Sequence, residues 1–264
     1  MAPGQRVDGV PDAHRNRADR RDTTMTTAVT TGAARGNAVL EGLTDDELAV
    51  LLPDLEHVPL PLGRVLHEPG RPVDAVYFPL TGVVSIVAEL GLDDVVEAAT
   101  VGREGMAGLS VFLGAVAPTE RALVQVAGAA LRMPTAGFLH AVAAVDGPLT
   151  SRLRRYTQAM FTQLARNAAC NRVHPVAQRA ARWLLSTADR MGSPTFELTQ
   201  EFLGHMLAVR RQSVSDAAQA LARDGCLTYT RGTVTILDRD RLHGHACDCY
   251  DVIRRAFDTP QPSA

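Results

Sequence analysis

The residues best equipped for chemistry lie between positions 198 and 238, in LTQEFLGHMLAVRRQSVSDAAQALARDGCLTYTRGTVTILD. Arg211 and Gln212 stand side by side where a helix should begin. A guanidinium can donate a parallel pair of hydrogen bonds to a guanine edge, and a carboxamide can pair with adenine in the same bidentate way. Ser215 and Asp216 follow one turn later, so Arg211, Gln212, Ser215 and Asp216 are the candidate base-reading set. Donors suited to phosphate surround them: Thr199, Arg210 and Ser213, with Arg231 and Thr233 further along the chain. The plainer reading of any one of these alone is a solvated surface residue, and it weighs less on Arg211 than on Arg231. Their order and spacing carry the argument.

The elements that must position them can be read from the same stretch. Thr199 suits an N-cap, because its hydroxyl can accept a free backbone N–H, and Phe202, Leu203 and Met206 make an inward stripe behind it. Val214, Ala217, Ala218 and Leu221 then repeat at i, i+3, i+4, i+7, with Gly225 placed to end that second helix. Leu227 and Tyr229 alternate with Thr228 and Thr230, the chain turns at Arg231-Gly232, and Val234 and Ile236 resume the pattern. A buried helix supporting a second one with a polar, arginine-bearing face is the layout of a DNA-reading helix-turn-helix, and the hairpin would be its wing. An ordinary α+β fragment is the plainer alternative.

LAVRRQSV followed by DG-x-L-x-Y-x-RG resembles the C-terminal domain of the Crp/Fnr family of bacterial transcription regulators. Upstream, HEPGRPVDAVYFPLTGVVS and GREGMAGL are similar to that family's N-terminal effector-binding β-roll. The resemblance covers about residues 40–258. It implies an α+β chain: an antiparallel β-roll of the jelly-roll, cyclic-nucleotide-binding type, a long dimerisation helix, and a winged helix-turn-helix. In the family, base-reading positions map onto Arg211, Gln212 and Asp216; well-known members more often carry Arg-Glu-x-x-x-Arg there. Gln for Glu and Asp for Arg should change the preferred bases.

The net charge of −2 does not suit a DNA binder until it is divided along the chain. Residues 37–145 carry −9, whereas 146–240 carry +5, and every basic residue is Arg. That asymmetry permits phosphate contact at the C-terminal end without demanding it. No apolar run approaches the roughly 18 residues of a membrane span. The N-terminus has no apolar leader core, so a cytoplasmic location is expected, with Met25 an alternative start to Met1. Cys170, Cys226, Cys247 and Cys249 are then expected as reduced thiols.

Residues 1–37 are polar and Arg/Asp/Thr-rich and are expected to form a disordered tail, and 259–264 are a short C-terminal tail. Thr44 and Glu47 form a capping box opening a short helix that stops at Pro53. Between Val58 and Met133, short β-branched runs such as Val83–Ala88, Val95–Thr100 and Leu123–Val126 point to an antiparallel roll or sandwich, giving a first domain over 38–145. From about Gly147 to Arg172 a helix carries the near-heptad seam Leu149, Leu153, Tyr156, Met160, Leu164 and Ala168. That seam either packs on its own roll or, as the resemblance implies, forms the interface of a homodimer, with 146–173 as the dimerisation helix. A second domain over 174–258 opens with an amphipathic helix, Val176–Met191, that contains the lone tryptophan, Trp183.

The resemblance also marks an effector pocket at Arg103, Glu104, Gly105, Met106, Gly108, Leu109 and Arg121. Cyclic-nucleotide binders of the family carry Gly-Glu-x-x-Leu for the ribose and Arg-Ser/Thr-Ala for the cyclic phosphate. Here Met106 replaces that Glu, and Glu120 stands where the Arg would be, with Arg121 one residue displaced. A carboxylate facing a cyclic phosphate repels it, which argues against a cyclic nucleotide and leaves the effector unidentified. An iron–sulfur sensor built on N-terminal cysteines is excluded, since residues 1–100 contain no Cys. In His243-Gly-His245-Ala-Cys247-Asp-Cys249 no helical face offers four ligands, so no metal is expected; the alternative is a terminal helix with packed or free cysteines. No cofactor is expected. Neither nucleophile-elbow, P-loop nor zincin motifs occur, so no enzyme is expected.

The expected function is therefore a dimeric regulator on a palindromic operator, contacting RNA polymerase if it activates. A ligand-binding signalling module whose C-terminal domain mediates protein contacts stays open, as does constitutive DNA binding beside a vestigial roll.

Overall fold

The computed structural model describes residues 28–90, 95–145 and 147–258. The expectations for residues 1–27, including the choice of start at Met25, and for 259–264 lie outside the described residues. Residues 28–37, within the segment expected to be disordered, are ordered. Helix α1 (Thr31–Ala34) buries Ala34, and α2 (Ala38–Glu41) is capped by Asn37. Asn37 is buried and donates to the carbonyls of Pro79 (2.9 Å) and Gly105 (2.8 Å), which ties this lead segment to the roll. Long-range anchoring of this kind overrides the polar composition around it. Helix α3 (Asp45–Leu51) has both halves of its capping box, and a 3-10 turn through Pro53 ends it.

The roll is one antiparallel sheet. Strands β1 (Glu56–Leu60), β2 (Val65–His67), β3 (Ala75–Glu89), β4 (Val95–Val101) and β5 (Arg121–Pro134) pair in the order β1-β5-β3-β4, with β2 also on β5. The β3–β5 ladder shifts register between Pro79 and Val84, where a β-bulge bends strands too long to stay flat. Two glycines make that bend feasible. A Cβ on Gly82 would meet the Val126 carbonyl at 2.7 Å, and one on Gly128 would meet that of Thr81 at 2.4 Å. Helices α4 (Leu109–Phe112) and α5 (Thr135–Ala144) follow β4 and β5, and Phe138 of α5 packs on Phe78.

Helix α6 (Pro148–Val173) runs 26 residues, with proline in its first turn where the missing N–H costs nothing. Its apolar seam divides. Leu149, Leu153, Tyr156 and Met160 are buried in the roll's own core, and Tyr156 donates to the Met106 carbonyl at 3.0 Å. Leu164 and Ala168 lie instead on the exposed side, beside Phe161. A heptad spacing says that a face is covered without saying by what, and here the chain's own roll covers the first half. The residues left facing outward are Phe161, Leu164 and Ala168, with Phe161 66% exposed.

The second domain begins with α7 (Val176–Met191) and β6 (Thr195–Glu197), continues through α8 (Gln200–Met206) and α9 (Arg211–Arg223), and forms a hairpin of β7 (Leu227–Thr230) and β8 (Thr233–Ile236). The small sheet is ordered β6-β8-β7. Helices α10 (Arg239–His245) and α11 (Cys249–Asp258) close the chain, and α11 lies against α6. Among the described residues no helix is long and apolar enough to cross a membrane.

Candidate nucleic-acid interface and its coupling to the roll

The reading element is assembled from the inside. Leu203 and Met206 of α8, and Val214, Ala217, Ala218 and Leu221 of α9, are buried, so the opposite side of α9 must face outward. The Thr199 hydroxyl accepts from the Phe202 N–H at 3.1 Å, capping α8 as its residue type suggests. Gly204 lets the turn close tightly, since a Cβ there would meet the Val209 carbonyl at 3.1 Å. Buried Arg179 of α7 donates to the Leu207 carbonyl and fixes the end of α8. Ala208 completes the turn at φ 50°, a left-handed conformation that penalises a side chain. Ala208→Gly is therefore expected to raise stability by about 0.5 kcal/mol, the relief of strain less the extra chain entropy of glycine. A denaturation midpoint that falls instead would contradict that account of the turn.

Arg211, Gln212 and Asp216 are exposed on one side of α9, with Ser213 and Ser215 half-buried between them. The Gln212 amide donates to Asp216 Oδ1 at 2.8 Å, so the carboxylate holds the carboxamide in place. Ser215 is likewise engaged, by Gln219 at 3.4 Å. Arg210 is the exposed residue just before α9, and Thr199 sits exposed at the start of α8. In the wing, Arg231 (φ 51°) and Gly232 (φ 82°) both adopt positive φ, the signature of a two-residue type I′ hairpin. Arg231 is exposed at the tip and Thr233 half-buried beside it. The Tyr229 hydroxyl donates to the Leu198 carbonyl at 2.5 Å, which ties the wing to the start of α8. The candidate base-reading and phosphate residues thus lie on three neighbouring elements, the start of α8, the start of α9 and the wing.

The effector residues separate. Met106, Gly108, Leu109 and Arg121 line a cavity of about 100 Å³ together with His67, Glu120 and Met160. Ligand sites usually offer roughly 300–1,000 Å³. Met106, which stands where the family's ribose-binding Glu would be, is buried at 1% exposure in the wall of this cavity. Arg121 is already paired with Glu68 and Glu89, each at 3.0 Å. Gly105 backs onto Tyr156, whose ring would clash with any Cβ there. Arg103 and Glu104 face away from this cavity, toward α7 and α11. A larger cavity, about 540 Å³, lies between α2, α6 and α11 and is lined by Glu41, Glu104, Arg152, Tyr156 and Phe257.

Sequence reasoning missed how the second domain docks on the roll. Val83, Val87 and Val126 of the roll join one core with Trp183, Leu184, Phe196 and Met206. Trp183 donates to Glu97 Oε1 at 3.0 Å, and Ser85 donates to Glu97 Oε2 at 2.7 Å. Arg190 binds Glu104 at 2.7 Å and also reaches the Ser186 and Thr100 carbonyls. Burial pushes the Glu97 carboxyl up to about 7, although hydrogen bonds from Ser85 and Trp183 and the charges of Arg182 and Arg190 oppose that rise. The folded chain then holds a proton that the unfolded chain releases near its ordinary 4.5. Stability from this group is fully present at low pH and is lost as pH rises through about 7. A melting series from pH 5 to 8 should show that loss in the wild type and not in Glu97→Gln. Parallel curves for the two proteins would exclude the assignment.

A roll packed on a long helix, followed by a winged helix-turn-helix with an arginine-bearing reading face, defines a DNA-binding transcription regulator. Residues 178–244 match the Crp-like helix-turn-helix domain. Over a longer stretch the chain is similar to transcription regulators of the Crp/Fnr type. It is 27% identical over 221 residues to the CRP-like cAMP-activated global transcriptional regulator of Mycobacterium tuberculosis, a match spanning 77% of this chain and 94% of that protein. The fold is also that of FixK2 from Bradyrhizobium japonicum (TM-score 0.62, 17% identity, 73% of this chain and 98% of the other). It is shared too by the c-di-GMP responsive global regulator CLP of Xanthomonas campestris (TM-score 0.59, 15% identity, 73% and 99%).

Proposed function

We propose that this regulator binds, as a homodimer in the cytoplasm, a two-fold symmetric DNA site, with the start of α9 in the major groove of each half-site. The observation that carries the reading is the exposed Arg211–Gln212 pair at the first turn of α9, with the Arg231 wing tip on an element tied to α8. Two copies of such a helix address half-sites about one helical turn apart. The outward side of α6, with Phe161, Leu164 and Ala168, is the surface offered to a second subunit. Arg210, Ser213, Thr199, Arg231 and Thr233 would then hold phosphates, fixing register without reading sequence. If the regulator activates, the docked complex would also contact RNA polymerase.

The Mycobacterium relative is cAMP-activated, but the roll here favours another signal. Its cavity, about 100 Å³, is well below the size usual for a ligand site, and among its lining residues Met106 and Glu120 stand where the resemblance expects a glutamate and an arginine. Any effector would have to bind two arrangements of roll and winged helix unequally, and the Glu97–Trp183 and Arg190–Glu104 contacts are what those arrangements would exchange. Selection of preferred DNA from a random pool tests the main reading. A palindrome whose recovery falls steeply with salt is expected; a non-palindromic or unselected pool would overturn it. Calorimetry with cyclic AMP and cyclic GMP tests the second point, and micromolar binding of either would refute it.

A further inference from the structure

At the junction of the two domains the fold gathers Cys170, His174, Cys247 and Cys249, and all four ligand atoms lie within 4.8 Å of one another. The sequence of the tail offered His243 and His245 as partners for its cysteines, but the structure uses those elsewhere. His243 binds Asp251 at 2.9 Å and His245 binds Asp224 at 3.2 Å. In their place stand Cys170, in the last turn of α6, and His174, the residue that caps that helix. The break between α10 and α11 carries Cys247 and brings it, with Cys249 at the start of α11, to that helix end. The expectation of no metal counted only the tail's own donors.

From this geometry we infer that Cys170, His174, Cys247 and Cys249 bind one structural zinc ion. Around a tetrahedral zinc with bonds of about 2.0–2.3 Å, neighbouring ligand atoms stand roughly 3.5–3.8 Å apart. Cys170 Sγ and Cys247 Sγ are 3.5 Å apart, and Cys249 Sγ and His174 Nδ1 are 3.8 Å apart. The three sulfurs belong to buried residues, as befits a closed site that leaves no position for water. Soft thiolates with one imidazole select zinc over magnesium or calcium, which prefer oxygen.

The surroundings agree with an occupied site. His174 presents Nδ1 to Cys249, while its Nε2 lies 3.9 Å from Asp248 Oδ1, so the carboxylate can orient the ring from outside the site. Three thiolates and one divalent ion leave a net charge of about −1 in a buried place, which needs a compensating cation. Arg179 and Arg182 are both buried and both act electrostatically on Cys170 and Cys247. The ion would fasten the end of α6, where His174 is the C-cap, to the last segment of the winged-helix domain. It would thereby fix the angle at which the reading element leaves the shaft.

The test is metal analysis of the full-length protein, expressed with zinc and purified under reducing conditions without chelator. About one zinc per chain is expected, along with its release on titration of the thiols by a mercurial. Cobalt(II) added to the reduced, metal-free wild type should give the intense visible bands of a tetrahedral, thiolate-rich ion. Cys247→Ser and His174→Ala should each lose the stoichiometric metal, whereas Cys226→Ala, in the winged-helix core, should keep it. If the ligand variants fail to fold, the wild-type cobalt spectrum still decides. Metal-free reduced protein that yields no tetrahedral cobalt spectrum would overturn the proposal. So would a Cys170–Cys247 disulfide found by thiol counting in protein purified under reductant.

Discussion

Replacing Arg190 with alanine is expected to lower the stability of the docked two-domain arrangement by about 3 kcal/mol. The Arg190 and Glu104 side chains are only 8% and 18% exposed, so solvent cannot take over the role of a missing partner. Truncation leaves Glu104 with the Gly102 N–H at 3.1 Å as its remaining donor and removes a donor from the Thr100 carbonyl. Breaking a buried pair in this way costs more than the pair itself contributes, because an uncompensated charge stays behind. The lone tryptophan supplies the probe, since Trp183 sits in the interface and binds Glu97. Urea unfolding followed by Trp183 fluorescence and by far-ultraviolet dichroism should separate in Arg190→Ala, with fluorescence changing first. Coincident and unshifted curves would show that the domains do not depend on this contact.

Arg211→Ala is expected to weaken binding to the selected operator by about 1–3 kcal/mol, roughly 5–150-fold, and to relax preference at one base-pair position. Its guanidinium is exposed at the first turn of α9, where the groove floor would lie. Arg231→Ala provides the contrast. At the wing tip it should weaken operator and random DNA alike and reduce the salt slope by about one. Quantitative gel-shift titrations at matched salt distinguish the two. If Arg211→Ala weakens both DNAs equally, Arg211 holds phosphate and does not read bases.

Local chemistry was legible in the sequence wherever a signal is local. The Val214–Leu221 stripe, the Thr44–Glu47 capping box and the Arg231-Gly232 turn each rest on spacings within a few residues, and each appears in the structure. The face of α6 was legible and its partner was not, because Leu153 and Tyr156 would show the same periodicity against a roll or a second helix. Contacts between Glu97 and Trp183, or Glu104 and Arg190, join residues 86 apart that belong to different domains. No pattern of neighbours announces them. The Cys/His cluster failed for the same reason, since half its donors lie at the end of α6, more than seventy residues upstream of the tail. The lead segment around Asn37 looked unstructured because its anchors are scattered and long-range, namely buried Ala34, the Asn37 amide and the Arg35–Asp45 pair, and not an apolar stripe.

The Gln212–Asp216 bond bears on how such a protein would find its target in a chromosome. A carboxylate on the reading face is repelled by every stretch of backbone it approaches, whatever the sequence, so it weakens residence on random DNA. If Gln212 reads a base as proposed, the same carboxylate would contribute at the correct half-site by presenting a pre-oriented amide, whose rotational freedom has already been given up. The penalty is uniform and the gain is local. Because random sites outnumber operators by many orders of magnitude, occupancy depends on the ratio of the two affinities more than on either one. Asp216 would thus shorten the time wasted on wrong sequences, at the expense of overall adhesion.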